Sequence, residues 1–368
     1  MNYLRPTLLV VGLLILVVYF LGKLPAAPLV YSASGVASST VESVIAIVPP
    51  PALDRRAYNE KMVKIANYGR LASTTGISAT STAWDAPGFS ISSPKNPWPV
   101  KTAYPNAGAL LPFNRVVAYY GNFYSTRMGI LGEYPEAVVI QKLKTVVSEW
   151  EAADPETPVI PAVAYIAVTA QESAGADGKY RLRMPDDQIQ QAIALADKIH
   201  GIVFLDVQPG LSTLQAEVPL LEKYLKMPQV HLALDPEFSM KTGARPGTVI
   251  GTMDATDVNY AANYLAGVVK ANNIPPKMLL VHRFTQNMLT NYKKIKPLPE
   301  VQVVINMDGW GAGPNKTSIY GAYVQDEPVQ FGGIKLFYKN DLKKPSTGLL
   351  TLKQLLKLKP QPIFVEYQ

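Results

Sequence analysis

Two carboxylates, Asp235 and Glu237, close the apolar run 230–234. If that run is a strand, both stand on one side of it, because side chains alternate with a period of two. Such a pair can divide acid and base work: the charge of one carboxylate pushes the other up, so that it holds a proton at neutral pH. A turn accounts for Asp235 equally well, since Asp before Pro236 is ordinary turn chemistry. The pattern recurs, however. Asp206 closes the run 201–205, Asp308 closes 301–307, and Glu366 stands in the last run, 362–367. Five carboxylates at four strand ends exceed what capping requires.

Period-two phasing places other polar groups beside them. Phe204, Asp206 and Gln208 share a face, as do Leu280, His282 and Phe284, and Val304, Asn306 and Asp308. Phe331, Gly333, Lys335 and Phe337 form the next such set, and Phe364, Glu366 and Gln368 the last. The expected catalytic set is Glu237, Asp235, Asp206, Asp308 and Glu366. The expected substrate-binding set is Tyr119, Tyr120, Gln208, His282, Trp310, Lys335 and Tyr338, because aromatic faces beside carboxylates suit a sugar ring. Each has a structural alternative. Asp206 could cap a helix, Asp308 could belong to the Gly309–Gly313 turn, and His282 could be a satisfied core residue. The aromatics could be packing. A buried Lys335 must find a carboxylate, and Glu366 could be no more than its partner. Arg283 has the opposite phase and reads as a clamp on a neighbouring strand.

Eight short apolar runs position these groups: 115–120, 159–166, 201–206, 230–235, 278–283, 301–308, 329–338 and 362–367. Amphipathic stretches separate them at 137–153, 186–199, 211–226, 255–271, 284–295 and 350–358. Eight strands alternating with helices over about 250 residues is the arithmetic of a (β/α)8 TIM barrel, which builds its sites at strand carboxyl ends. Helix signal is weak in the sixth and seventh crossovers, and no helix follows the eighth strand. Segment 25–110 is the available candidate to cover that gap.

Composition excludes several chemistries. No cysteine is present, which removes disulfides, thiol nucleophiles and zinc-thiolate sites. The three histidines, His200, His231 and His282, show no metal-ligand spacing, so neither metal nor cofactor is expected, although an oxygen-ligand calcium site stays open. The net charge of +7 is scattered, which argues against a nucleic-acid partner and leaves room for attraction to acidic polymers.

The amino terminus carries an uncharged run from Pro6 to Gly22, read as a signal anchor or signal peptide over 1–27. Either places the body outside the cytoplasm, membrane-anchored or secreted. Residues 28–110, rich in Ser, Ala, Thr and Pro, read as a partly disordered linker or stalk with one polar helix near 54–68. The alternative is a plug packed across the bottom of the body. Residues 111–368 are the barrel.

Two resemblances follow from these residues. Val116-Val117-Ala118-Tyr119-Tyr120-Gly121-Asn122-Phe123 and Asp235-Pro236-Glu237 resemble the first strand and the fourth-strand signature of chitinase-type (family 18) glycoside hydrolases. That resemblance implies Glu237 as acid, Asp235 as its partner, and assistance from a substrate N-acetyl group. From about residue 98 onward, Leu205-Asp206-Val207-Gln208, Val281-His282-Arg283-Phe284-Thr285, Met307-Asp308-Gly309 and Tyr367-Gln368 resemble an exported bacterial barrel family of uncharacterised activity. That one implies a fold and a location. The function expected is a glycoside hydrolase-like barrel acting on an extracellular or cell-envelope polysaccharide. The alternatives are a non-catalytic carbohydrate-binding barrel and a phosphate-handling barrel.

Overall fold

The computed structural model describes residues 50–68 and 97–368. The apolar leader and the Ser/Thr-rich stretch 73–82 lie outside the described residues. Among the described residues no helix is long and apolar enough to cross a membrane.

Among the described residues one helix, α1 (Arg55–Ala66), precedes the barrel. The barrel strands are β1 (Arg115–Gly121), β2 (Val159–Ala170), β3 (Ile202–Val207), β4 (Val230–Leu234), β5 (Lys277–His282), β6 (Val301–Met307), β7 (Phe331–Leu336) and β8 (Phe364–Tyr367). Neighbours pair in parallel all the way round. The circle closes where β1 pairs with β8, Val116 opposite Phe364. All eight expected strands are present, as a closed (β/α)8 barrel. Strands buried on both faces read as continuous apolar runs, which made them countable in advance. A short strand, Arg181–Arg183, folds back antiparallel on the end of β2.

Alternation along the strands sorts side chains into two cores. Val116, Ala118, Phe204, Leu280, Phe331 and Phe364 fill the interior. Val117, Tyr119, Val163, Leu205, Leu232 and Tyr367 face the helices, chief among them α2 (Glu136–Ala153), α3 (Asp186–Asp197) and α4 (Ala255–Asn272). The α4 helix opens on a reciprocal cap between Asp254 and Asp257.

The described part of 28–110 is not a stalk. Tyr58, Met62 and Ile65 recur at helical spacing on α1 and join the interior core together with Leu111 and the starts of several strands. The helix therefore plugs the bottom of the barrel. Asn67 Nδ2 donates to the Leu356 and Leu358 carbonyls, and Gln302 exchanges two hydrogen bonds with the Leu111 backbone. Only three apolar positions are needed to stop so small an opening, so composition alone made this helix look detached. It also means that α1 does not stand in for an eighth outer helix. The outer face of β8 is covered instead by Trp150 of α2, whose Nε1 donates to the Tyr367 hydroxyl at 3.0 Å.

Several expected helices differ. Stretch 284–295 forms two 3-10 turns around a two-residue strand, Leu289–Thr290, which pairs with Met253–Asp254; Asn291 adopts a left-handed φ of 55° there. Stretch 211–226 breaks into Leu214–Glu217, Val218–Leu221 and Glu222–Leu225, because Pro219 has no N–H to continue a helix. The last stretch contracts to Leu352–Leu355. Conversely, an unexpected helix, α5 (Gly313–Tyr320), occupies the sixth crossover with Pro314 tolerated in its first turn.

Candidate active site

A cavity of about 280 Å3 opens at the strand carboxyl ends. It is lined by Asp235, Glu237, Asp308, Tyr120, Gln208, Trp310 and Lys335, with Phe238, Phe284 and Phe337 as apolar walls. Strand β4 ends one residue before Asp235. There Pro236 opens a 3-10 turn, Pro236–Phe238, and Asp235 Oδ1 accepts the Glu237 backbone N–H at 3.1 Å. Both readings of Asp235 therefore hold: it caps the turn, and the turn aims Glu237 into the cavity. Its other oxygen, Oδ2, accepts from Gln208 Nε2 at 3.2 Å.

Beneath the floor lies a second tier. Asp206 and Glu366 are fully buried and do not line the cavity. Tyr120 donates its hydroxyl hydrogen to Asp206 Oδ2 at 2.8 Å, and Gln208 Nε2 reaches that same hydroxyl at 3.2 Å. Lys335 Nζ stands 3.3 Å from Glu366 Oε2 and 3.2 Å above the Tyr120 ring, so the buried ammonium has found a carboxylate and an aromatic face. Asn306 Nδ2 donates to the same Glu366 oxygen. His282 Nδ1 lies 3.4 Å from Asp308 Oδ2, and burial, followed by Lys335, pushes this imidazole well below its ordinary range, so it is neutral.

Burial dominates the electrostatics. It pushes Asp308 up to about 8 against the pull of Lys335, and raises Asp235 well above its usual range with help from Asp206, Glu237 and Asp308. Glu237, half-buried, is raised by desolvation and lowered by Lys335. Asp206 is pushed up to about 7 by burial, opposed by its Tyr120 hydrogen bond and by Lys335.

Asp206 also carries a stability consequence. Unfolded, it would ionise near 3.9. Between there and about 7 the folded chain keeps a proton that the unfolded chain has released, so stability falls as pH rises through that window. Asp206→Asn removes the penalty. Its melting temperature relative to wild type should rise by a few degrees between pH 4 and pH 8, since about 1 kcal/mol moves Tm by ~2–4 °C in a chain of this size class. Calorimetry at the two pH values measures this; a difference that does not change with pH counts against it.

Asp235, Glu237 and Asp308 each offer an oxygen within 4.8 Å of the others, the one such group among the described residues that could hold a metal ion. Lys335 already supplies positive charge to all three.

The predicted residues thus divide. Glu237, Asp235, Asp308, Tyr120, Gln208, Trp310 and Lys335 converge on the cavity, and Asp206, Glu366 and His282 support it from below. Tyr119 and Tyr338 are elsewhere. Tyr119 has the opposite phase to Tyr120, so it faces outward, and its hydroxyl lies 3.4 Å from that of Tyr338 in a separate cavity of about 510 Å3. Arg283 is a clamp, paired with Glu327. Arg127 and Met128 line the cavity from the loop after β1 and were not expected, because a loop has no periodicity to phase. Phe238 was missed for a similar reason, since the 3-10 turn breaks the alternation that ended at Leu234.

No protein-family model matches the sequence, and no curated protein matches it. Among solved structures, a ruminal GH26 endo-β-1,4-mannanase overlaps 69% of this chain at 8% identity and a TM-score of 0.35. The chain spans 59% of that enzyme's length. A hyperthermophilic endo-β-1,4-glucanase overlaps 60% at 9% identity and a TM-score of 0.28, covering 81% of its own chain. GH26C from Muricauda sp. MAR_2010_75 overlaps 72% at 10% identity, also at 0.28, covering 75% of its chain. Overlaps of this quality transfer no activity to the present chain.

Proposed function

We propose that this barrel is a glycoside hydrolase of the retaining type, with Glu237 as general acid and Asp308 as the opposing carboxylate. The observation that supports this reading is the approach of Glu237 and Asp308 oxygens to within 4.8 Å in a cavity walled by Tyr120, Trp310 and Phe337. Carboxyl groups about 5–5.5 Å apart suit attack by the protein, whereas roughly 6.5–9.5 Å leaves room for a water between them. In the first step Glu237 gives its proton to the glycosidic oxygen. The bond from that oxygen to the anomeric carbon breaks as an Asp308 oxygen bonds to the same carbon. In the second, water attacks that carbon, its proton passes to Glu237, and Asp308 leaves as carboxylate.

Glu237 suits the acid's part because it is the more open of the two and desolvation helps it keep a proton; Asp308, which burial pushes up to about 8, attacks through the fraction that Lys335 holds as carboxylate, so the rate should climb as pH rises toward 8. Asp235 is a positioning residue, holding the Glu237 backbone through its cap. Lys335 engages Glu366 instead of either reacting carboxylate, which favours an enzyme over a barrel that only binds. Family 18 chemistry would need a substrate N-acetyl group as nucleophile; with Asp308 in reach, sugars lacking that group should also be cleaved. In this reading the leader at 1–27 exports the barrel to an extracellular or cell-envelope polysaccharide.

The test is a screen of the purified full chain on peptidoglycan and common polysaccharides, with proton NMR of the first product formed. The expected product keeps the substrate's anomeric configuration. An inverted product would remove Asp308 from the nucleophile's role.

A further inference from the structure

The 510 Å3 cavity lies on the outer side of the barrel rim, between α2, the loop after β1 and the residues that follow β7. Arg127, Phe337 and Gln368 line both this cavity and the reaction pocket, so the two are neighbours across those three residues. Its base is aromatic and hydroxylated: Tyr119 and Tyr338 meet edge to face, with their hydroxyls 3.4 Å apart. The Tyr119 ring is buried and Tyr338 stacks on Tyr367, so this base offers a sugar hydroxyls, together with the amides of Gln141 and Gln368.

Its side chains are more basic than the pocket's. The one acidic side chain lining it, Glu133, is engaged by Lys339 at 2.8 Å. Arg127 and Lys142 remain as cations without an acidic partner among the described residues, Lys142 Nζ lying 4.9 Å over the Tyr134 ring. Burial, and with it the charge of Glu149, raises both Tyr119 and Tyr338, but Glu149 does not line the cavity. The pocket, by contrast, presents the carboxyls of Asp235, Glu237 and Asp308, raised by burial, around Lys335, a surround that suits the hydroxyls of an uncharged residue.

We infer that the groove is a second sugar subsite that takes an acidic residue, while its uncharged neighbour in the same chain occupies the reaction pocket. The substrate is then an anionic polysaccharide bearing uronic acids, in keeping with the net charge of +7. The hydrolytic half of this inference rests on the proposed function; binding in the groove does not.

Binding is measured by calorimetry with the full-length Glu237→Gln variant, using a hyaluronan octasaccharide and an uncharged chitin hexasaccharide. The acidic oligosaccharide should bind about tenfold more tightly at low salt, with the advantage shrinking as salt rises. Charge reversal at the exposed Lys142, Lys142→Glu, should abolish that advantage without moving the melting temperature. Equal affinities, or a preference that survives Lys142→Glu, overturn the inference. Preference for the acidic chain without hydrolysis of any substrate by wild type sinks the enzymatic reading and leaves the groove standing. Hydrolysis of neutral chains with no acidic preference does the reverse.

Discussion

Replacing Glu237 by Gln should lower hydrolysis of a natural glycan by about 10²–10⁴-fold, the usual worth of a positioned acid. The same variant should still release dinitrophenolate from dinitrophenyl glycosides, because that leaving group departs without a proton. It should then stall, since no base remains to activate water, and accumulate a covalent glycosyl-enzyme visible by mass spectrometry. Asp308→Asn should differ in kind. With no nucleophile, both natural and activated substrates fail, and no adduct forms. The contrast separates the two roles, which a simple loss of activity would not. If Asp308→Asn keeps activity on dinitrophenyl glycosides while Glu237→Gln loses it, the assignments are reversed. Glu237 is half-buried and makes no side-chain ion pair among the described residues, so the isosteric amide should leave the fold intact.

Lys335→Met should destabilise the barrel by about 3–5 kcal/mol at pH 8, because it leaves Glu366 fully buried beside other carboxylates with no cation. Lys335 pulls down Asp206, Asp235, Glu237, Asp308 and Glu366 alike. Without it, all five should hold protons to higher pH. The sign follows from linkage. A carboxyl raised further above its unfolded value costs more stability the higher the pH, and nothing once both states are protonated. Urea midpoints at pH 5 and pH 8 measure this, and the loss should be clearly smaller at pH 5. An equal loss at both would attribute the effect to the missing contact with the Tyr120 ring, 3.2 Å from the ammonium, and not to charge.

The strands and their phase were legible because each is a local apolar run buried on both sides, and alternation within a run is fixed by the pleat. That is why Asp206, Gln208, His282, Asp308, Lys335 and Glu366 could be assigned inward, and Arg283 outward, before any coordinates. The same rule would have put Tyr119 outside had it been applied to that aromatic. Loops and turns were not legible. Arg127 reaches the cavity through a segment without a period, and Pro236 converts the end of a strand into a 3-10 turn that no alternation describes.

By itself, then, the sequence determined that Asp235-Pro236-Glu237 ends the fourth of eight strands and that five other strands bring polar groups to the same end. Closure of the ring decided the rest. Distances between residues far apart in the chain are set by how eight strands pair around a circle, and only that circle places Asp308 within 4.8 Å of Glu237 while sinking Asp206 and Glu366 beneath them. It also turned a polar helix expected in a stalk into the stopper of the barrel, because Tyr58, Met62 and Ile65 have an opening to fill only once the strands have closed.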